Sequence, residues 1–187
     1  MSATDTLPAR ETLVRRILRT YDRATPDDQE AGAAWYGKAR DLAAELAAEH
    51  GHTVEQAAGA IAHLSVRQTW KGNRRAARDL LRDPATRPAG IMTREYGKAL
   101  DALQSDDPLS TFTGPKTRRF YLNILGDPTV VTVDVWAART AGITEQALKR
   151  RGVYGEIEHA FRLAARRRQV TPSTLQAVAW VVERGRP

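Results

Sequence analysis

The chain has 187 residues, and its 29 lysine and arginine residues outweigh 22 acidic ones, for a net charge of +7 and a pI of about 10.1. The length suits one domain with a real core. The absence of cysteine excludes disulfides, thiolate zinc sites and iron–sulfur clusters. No run approaches the roughly 20 apolar residues of a membrane helix, and the N-terminal sequence lacks an apolar signal region. We therefore expect a cytoplasmic protein.

The basic balance favours an anionic partner, with nucleic acid first, although a solubility charge explains it as well. We expect double-stranded DNA as the partner, a monomer, and no membrane association. No phosphate-binding loop, nucleophile elbow or dinucleotide fingerprint is present. His50 and His52 flank Gly51 at a helix end, and too few other ligands are near for a metal site. We expect no metal and no cofactor.

Apolar residues at helical spacing predict an all-α fold of nine or ten helices. The longer ones are expected over residues 9–24, 27–50, 53–64, 70–81, 93–103, 153–168 and 171–183. Thr53 and Gln56 match a capping box, and the small apolar residues that follow predict a helix buried at the centre of the fold. Residues 129–133 form the only strand-like run, which is too short and isolated for a sheet.

One stretch, residues 110–139, combines a turn, a basic helix start, an apolar run and an acidic helix start. Gly114 and Pro115 form the turn, Lys116 follows it, and Asp134 comes after the apolar run. A turn, a helix and a second helix start can bring an amine and a carboxylate together across one cleft. The stretch is therefore the candidate centre of chemistry.

This stretch resembles the helix–hairpin–helix DNA glycosylase superfamily, which contains endonuclease III and 8-oxoguanine DNA glycosylase. The matching residues are Gly114, Lys116 and Thr117 at the hairpin, then Val133, Asp134 and Arg139 at the second block. Residues 64–73 also resemble an upstream segment of that family, with Ser65 aligned and Arg67 or Gln68 in the place of its glutamine. Small proteins of bacteriophages that infect actinobacteria resemble the chain as well.

The resemblance implies a two-lobed helical bundle that acts as a single glycosylase-like domain over residues 1–187. One lobe would span about 27–125, with the hairpin at 110–117, and the other would combine about 9–24 with 126–187. The chain departs from the family pattern at three positions: Thr111 replaces the hairpin proline, Phe112 its first glycine, and Trp136 a histidine. Since glycine allows close approach to a phosphate, Phe112 puts phosphate docking in question.

The implied reaction is cleavage of the N-glycosidic bond of a flipped base, with a lyase step as an option. Asp134 would stabilise the oxocarbenium-like sugar or activate the nucleophile. Lys116 would attack C1′ and form a Schiff base. The alternatives are that Asp134 only caps a helix and that Lys116 only contacts solvent or a phosphate. A catalytically inactive DNA-binding phage accessory protein and a phage DNA base-modification enzyme also remain open.

The remaining candidate residues are assigned to DNA contact or to a base pocket. Those expected to contact DNA are Gly114, Thr117, Arg118, Arg119, Arg139, Arg67, Lys71 and Arg74. Those expected to line a base pocket are Trp70, Trp136, Gln68 and Asn123, although the tryptophans suit a core and Asn123 a turn. The basic cluster at 67–78 is expected to spread around its helix. A second cluster at 162–168 suits either DNA or the carbonyl end of its helix.

Overall fold

The computed structural model describes residues 7–184 and confirms the all-α prediction. In this part of the chain there are ten α-helices, one 3-10 helix and no strand. The helices are α1 Arg10–Tyr21, α2 Pro26–His50, α3 Val54–Leu64, α4 Trp70–Arg82, α5 Thr93–Gln104, the 3-10 helix Pro108–Thr111, α6 Pro115–Ile124, α7 Val135–Thr140, α8 Glu145–Leu148, α9 Val153–Arg168 and α10 Pro172–Arg184.

The chain divides into two compact units. Unit 2 spans Trp35–Asp127, and unit 1 takes in the described residues up to Ala34 and from Pro128 onward. The sequence places the lobe boundaries near residues 27 and 126, whereas the first boundary of the structure falls inside α2. One continuous helix therefore gives its first turns to unit 1 and the rest to unit 2.

The core of unit 2 is built around α3. The capping box forms as predicted: the Gln56 amide donates to Thr53 Oγ1 (3.1 Å), and the Thr53 amide donates to Gln56 Oε1 (3.0 Å). Every residue from Ala57 to Leu64 is buried, which confirms the expected central helix. Small side chains allow α5 to approach closely, since a Cβ added at Gly59 would lie 2.9 Å from the Ala102 Cβ.

The core of unit 1 joins α1, α7, α9 and α10. Leu13 and Ile17 of α1 are fully buried, as are Ile157 and Phe161 of α9. The strand-like run 129–133 is not part of a strand in the described part of the chain. The Tyr154 hydroxyl partly replaces a ladder partner: it accepts from the Val133 amide and donates to the Val131 carbonyl, both at 3.1 Å.

Candidate functional site

The solvent side of α4 is a basic face, which we define as Arg67, Lys71, Arg74 and Arg75. The three helical members recur at i, i+3 and i+4, so they share one side of α4, while Ala76, Ala77, Leu80 and Leu81 are buried on the other. The expectation that this cluster spreads around the helix is therefore wrong. Arg78 continues the same side, but it is paired with Glu45 at 2.7 Å.

The four side chains of the basic face are exposed, and none has a hydrogen-bond or ion-pair partner among residues 7–184. Thr69 caps the helix that carries three of them, accepting from the Gly72 amide at 3.1 Å. Since the first turn lacks an acidic residue, nothing there offsets the positive charge. The face presents cations that no internal carboxylate neutralises.

Arg67 lies in the turn between α3 and α4 with a backbone φ of 58°. The backbone N–H of Gln68 donates to the Ser65 carbonyl at 3.3 Å and closes this turn. The left-handed region costs a non-glycine residue on the order of 1–3 kcal/mol, and such residues concentrate at functional sites. The choice of arginine over glycine at this position therefore has no local conformational reason.

Two residues predicted to line a base pocket serve structure near this turn. Gln68 Nε2 donates to the Gly90 carbonyl at 2.9 Å, so its amide joins the turn to the loop before α5. Trp70 is partly buried and packs against the core of unit 2, with its ring centroid 5.0 Å from that of Trp35. Both side chains are engaged within unit 2, and their assignment to a base pocket stays a prediction.

The basic cluster of α9 differs from that of α4. Salt bridges pair three of its four arginines with carboxylates of unit 1: Arg162 with Glu158, Arg167 with Glu11, and Arg168 with Asp22. The Arg167 guanidinium holds the pKa of Glu11 below its usual value, and the Arg168 guanidinium does the same for the pKa of Asp22. These arginines tie α9 to α1 and to itself, so most of the cluster is internally neutralised.

The segment before α6 is anchored by Phe112. Its ring is 6% exposed and stacks on His63, with centroids 4.1 Å apart and an interplanar angle of 8°. The ring of Tyr121 lies 5.0 Å from it. The glycine expected at this position by resemblance is thus replaced by a core residue in an ordinary extended conformation (φ −90°). A packed ring, in place of close backbone approach, holds this segment.

His63 and Tyr121, whose rings contact the ring of Phe112, are both buried. His63 Nε2 lies 2.9 Å from Thr111 Oγ1, and burial, aided by the charge of Lys98, lowers the pKa of His63 to about 4. Burial likewise raises the pKa of Tyr121 to about 12. Both groups are therefore neutral at physiological pH.

The segment anchored by Phe112 leads into α6, whose first turn is basic. Gly114 is the N-cap with φ −111°, which any residue adopts, and an added Cβ would meet nothing within 4 Å. Pro115 occupies the first helical position, and half-buried Lys116 and Thr117 follow it. Arg118 is exposed, whereas Arg119 is half-buried. This turn of unit 2 carries cationic side chains, but Gly114 does not supply the left-handed conformation of a tight glycine hairpin.

Asn123, predicted for the base pocket, lies on the same helix but faces inward. It is 1% exposed, and its Nδ2 donates to the Asp127 carbonyl at 2.9 Å. The side chain therefore closes the turn after α6, which was the alternative left open by the sequence.

Asp134, in unit 1, is the N-cap of α7. Its Oδ1 accepts from the Trp136 amide at 3.0 Å and from the Ala137 amide at 2.8 Å. The Arg139 guanidinium lies 4.7 Å above the Trp136 ring, so one face of that ring is covered by a cation. Trp136 is thus half-buried under Arg139 and is not an open stacking surface on that side. The carboxylate itself is half-buried and held in a fixed orientation.

Within residues 7–184, no three His, Asp or Glu side chains are grouped so as to hold a metal ion. None of the described helices combines the length and apolar character needed to cross a bilayer.

Fold and site together define an all-α protein with an exposed basic face and a carboxylate fixed at a helix start. The chain belongs to the family described as Family of unknown function (DUF7178), whose family model matches residues 2–187. No curated protein and no solved structure matches the chain.

Proposed function

We propose that this protein binds double-stranded DNA and cleaves the N-glycosidic bond of a flipped base. The observation that carries the proposal is the basic face of α4, whose exposed cations have no partner among the described residues. Phosphates are the partners that such a face suits, because each contact releases a condensed counterion. The α9 cluster differs from this face, because three of its four arginines are paired with carboxylates.

DNA affinity and its salt dependence test the binding half of the proposal. Four phosphate contacts predict a slope of log affinity against log salt of about −4. The double substitution Arg74→Gln and Arg75→Gln should reduce that slope by about 2 and weaken binding of any duplex sequence alike.

A charge-matched control is available in unit 1. Arg151 and Arg166 are also exposed and without a partner among the described residues, so changing both to glutamine removes the same charge from elsewhere. This control should leave the slope unchanged. Equal losses from both double variants would mean that net charge alone drives binding, and the basic face would not be the site.

The reaction would use Asp134. As the N–C1′ bond breaks, the bonding electrons leave with the base and positive charge develops on the sugar, which a nearby carboxylate stabilises. Water would then add to C1′ and pass its proton to Asp134. Support for this role comes from the fixed orientation of the carboxylate at the start of α7 and from the resemblance of its sequence context to the glycosylase superfamily.

Base release from a panel of damaged and modified duplexes tests the reaction. Asp134→Asn should lower the release rate by about 10²-fold or more while keeping DNA affinity. Full release by this variant would refute the mechanism. Borohydride trapping tests Lys116: an adduct that disappears in Lys116→Gln would identify the Schiff-base lysine, whereas an unchanged adduct would place the nucleophile elsewhere.

A second candidate is a DNA-binding protein without catalysis. The observation in its favour is that helix capping accounts for Asp134 by itself, since Oδ1 accepts two backbone amides. Steep salt-dependent binding with no product from any duplex would select this candidate. A base-modification enzyme would instead reveal itself by altered nucleosides in the mass spectrum of the source DNA.

A further inference from the structure

The segment that leads to Asp134, residues 129–133, is held by two side chains of α9. At its start, Arg162 Nε donates to the Thr129 carbonyl at 3.1 Å. At its end, the Tyr154 hydroxyl forms hydrogen bonds to the backbone of the last residues. One helix of unit 1 therefore fixes both ends of a segment that lies in no described strand.

The Tyr154 hydroxyl uses both of its hydrogen-bonding functions on this backbone. It accepts from the Val133 amide and donates to the Val131 carbonyl, each at 3.1 Å. Both valines are buried, at 1% and 0% exposure, so solvent is not at hand to replace the hydroxyl. A phenylalanine ring in its place would leave one buried donor and one buried acceptor unsatisfied.

The hydrogen bond to Val133 bears directly on Asp134, which is the next residue. Asp134 has an extended backbone (φ −99°, ψ −172°), and α7 begins immediately after it. The Trp136 and Ala137 amides orient its carboxylate from the helix side. The hydroxyl of Tyr154 thus fixes where Asp134 enters the helix, and the two amides fix how its side chain points.

We propose that Tyr154 is a positioning residue for Asp134, whose carboxylate it holds in place through the backbone. The consequence for base release rests on the proposed function, whereas the consequence for the position of Asp134 does not. A reacting group has to be held within about 0.5 Å of its productive place, and a displacement of about 1 Å can lower a rate by about 10²-fold. Tyrosine suits the role because its ring packs against the core of unit 1 while its hydroxyl reaches the backbone.

Single-turnover base release tests the catalytic consequence. Tyr154→Phe should lower the release rate by about 10- to 10²-fold, with a change in duplex affinity of about twofold or less, since no phosphate contact is lost. The matched control is Tyr96→Phe in unit 2, which also removes one hydroxyl, the donor to the Pro84 carbonyl at 2.7 Å. This control should leave the release rate unchanged.

A double variant shows whether the effect passes through the carboxylate. In the Asp134→Asn background, Tyr154→Phe should lower the residual release rate by about twofold or less, because the group that it positions is already disabled. A loss as large as in the wild-type background would overturn the positioning role, since general damage to the fold would cost the same in both backgrounds.

Nuclear magnetic resonance of the free protein tests the position of Asp134 without DNA. In the wild type, the Val133 amide should be protected against hydrogen exchange. Tyr154→Phe should speed this exchange by about 3- to 10-fold, the loss expected for one hydrogen bond, and should shift the Trp136 and Ala137 amide resonances. Tyr96→Phe should do neither. Phenylalanine keeps the ring, so circular dichroism should show both variants folded.

The outcomes separate this inference from the proposed function. An unprotected Val133 amide in the wild type, or unchanged α7 amide resonances in Tyr154→Phe, would overturn the inference whatever the release rates. Altered resonances with an undiminished release rate would overturn the positioning role in catalysis. If the wild type releases no base from any duplex, the proposed reaction falls, and the amide measurements alone decide whether Tyr154 fixes Asp134.

Discussion

Asp134 offers a way to separate helix capping from catalysis. Replacing it with alanine removes the acceptor of two amide hydrogen bonds, at 3.0 and 2.8 Å, from the first turn of α7. Loss of an N-cap acceptor costs about 1 kcal/mol, within a range of about 0.5–2 kcal/mol. Asparagine keeps an oxygen that accepts the same two amides, so Asp134→Asn should cost less than half as much, mainly through the lost charge at the helix start.

Urea unfolding at neutral pH, followed by far-UV circular dichroism, measures both variants against the wild type. The order of stability should be wild type, then Asp134→Asn, then Asp134→Ala. If the asparagine variant is as unstable as the alanine variant, the side-chain cap does not stabilise α7 and the reasoning fails. Because no DNA enters this measurement, its result qualifies Asp134→Asn as the variant in which loss of base release reports chemistry alone.

Two further predictions concern stability. In α2, a Cβ added at Gly32 would lie 2.6 Å from the Val178 Cα, so Gly32→Ala should destabilise the protein by about 1–3 kcal/mol. A Cβ added at exposed Gly37 would meet nothing within 4 Å, so Gly37→Ala should stabilise it by about 0.5–1 kcal/mol. Effects of the same sign in urea unfolding would contradict this. Arg168 lowers the pKa of Asp22 from its ordinary 3.8, so the stabilisation that Asp22 gives is present above that value and is lost as pH falls through the lower folded-state pKa. The stability gap between wild type and Asp22→Asn should therefore narrow as pH falls below 3.8 and close once pH is below the lowered folded-state pKa, and a gap that persists in stronger acid would have another cause.

Much of the helical architecture can be predicted because its signals are local. The capping box at Thr53, the proline at position 172 and the apolar spacing of α9 each act within a few residues, and the corresponding helices form. The boundary before α5 shows the limit of such signals. Thr93 has a side chain of the kind that caps helices, yet it is the first helical residue, and Met92 occupies the N-cap without a side-chain hydrogen bond.

The roles of single polar residues proved harder to predict, because they depend on distant partners. Nothing near Gln68 in the sequence indicates that it donates to Gly90, 22 positions away. Phe112 is similar: as a substitute for a hairpin glycine it suggests a damaged phosphate site, whereas its stacking on His63 makes it a core residue. Motif comparison assigns such residues a role from their neighbours in the chain, but packing decides which atoms remain available.

The two arginine clusters show why charge alone is a weak guide to DNA binding. Each is a run of cations along or next to one helix, so positive charge by itself does not distinguish them. In α9, two of the arginines pair with Glu11 of α1 and with Asp22, which directly follows α1, and those ion pairs leave little charge for an external anion. None of the four side chains of the basic face forms an ion pair with a described carboxylate. A phosphate that binds there does not have to displace an internal partner, so the free energy of binding is not reduced by the cost of breaking a salt bridge. The absence of internal pairing, more than the number of cations, is therefore what points to α4 as the DNA-binding surface.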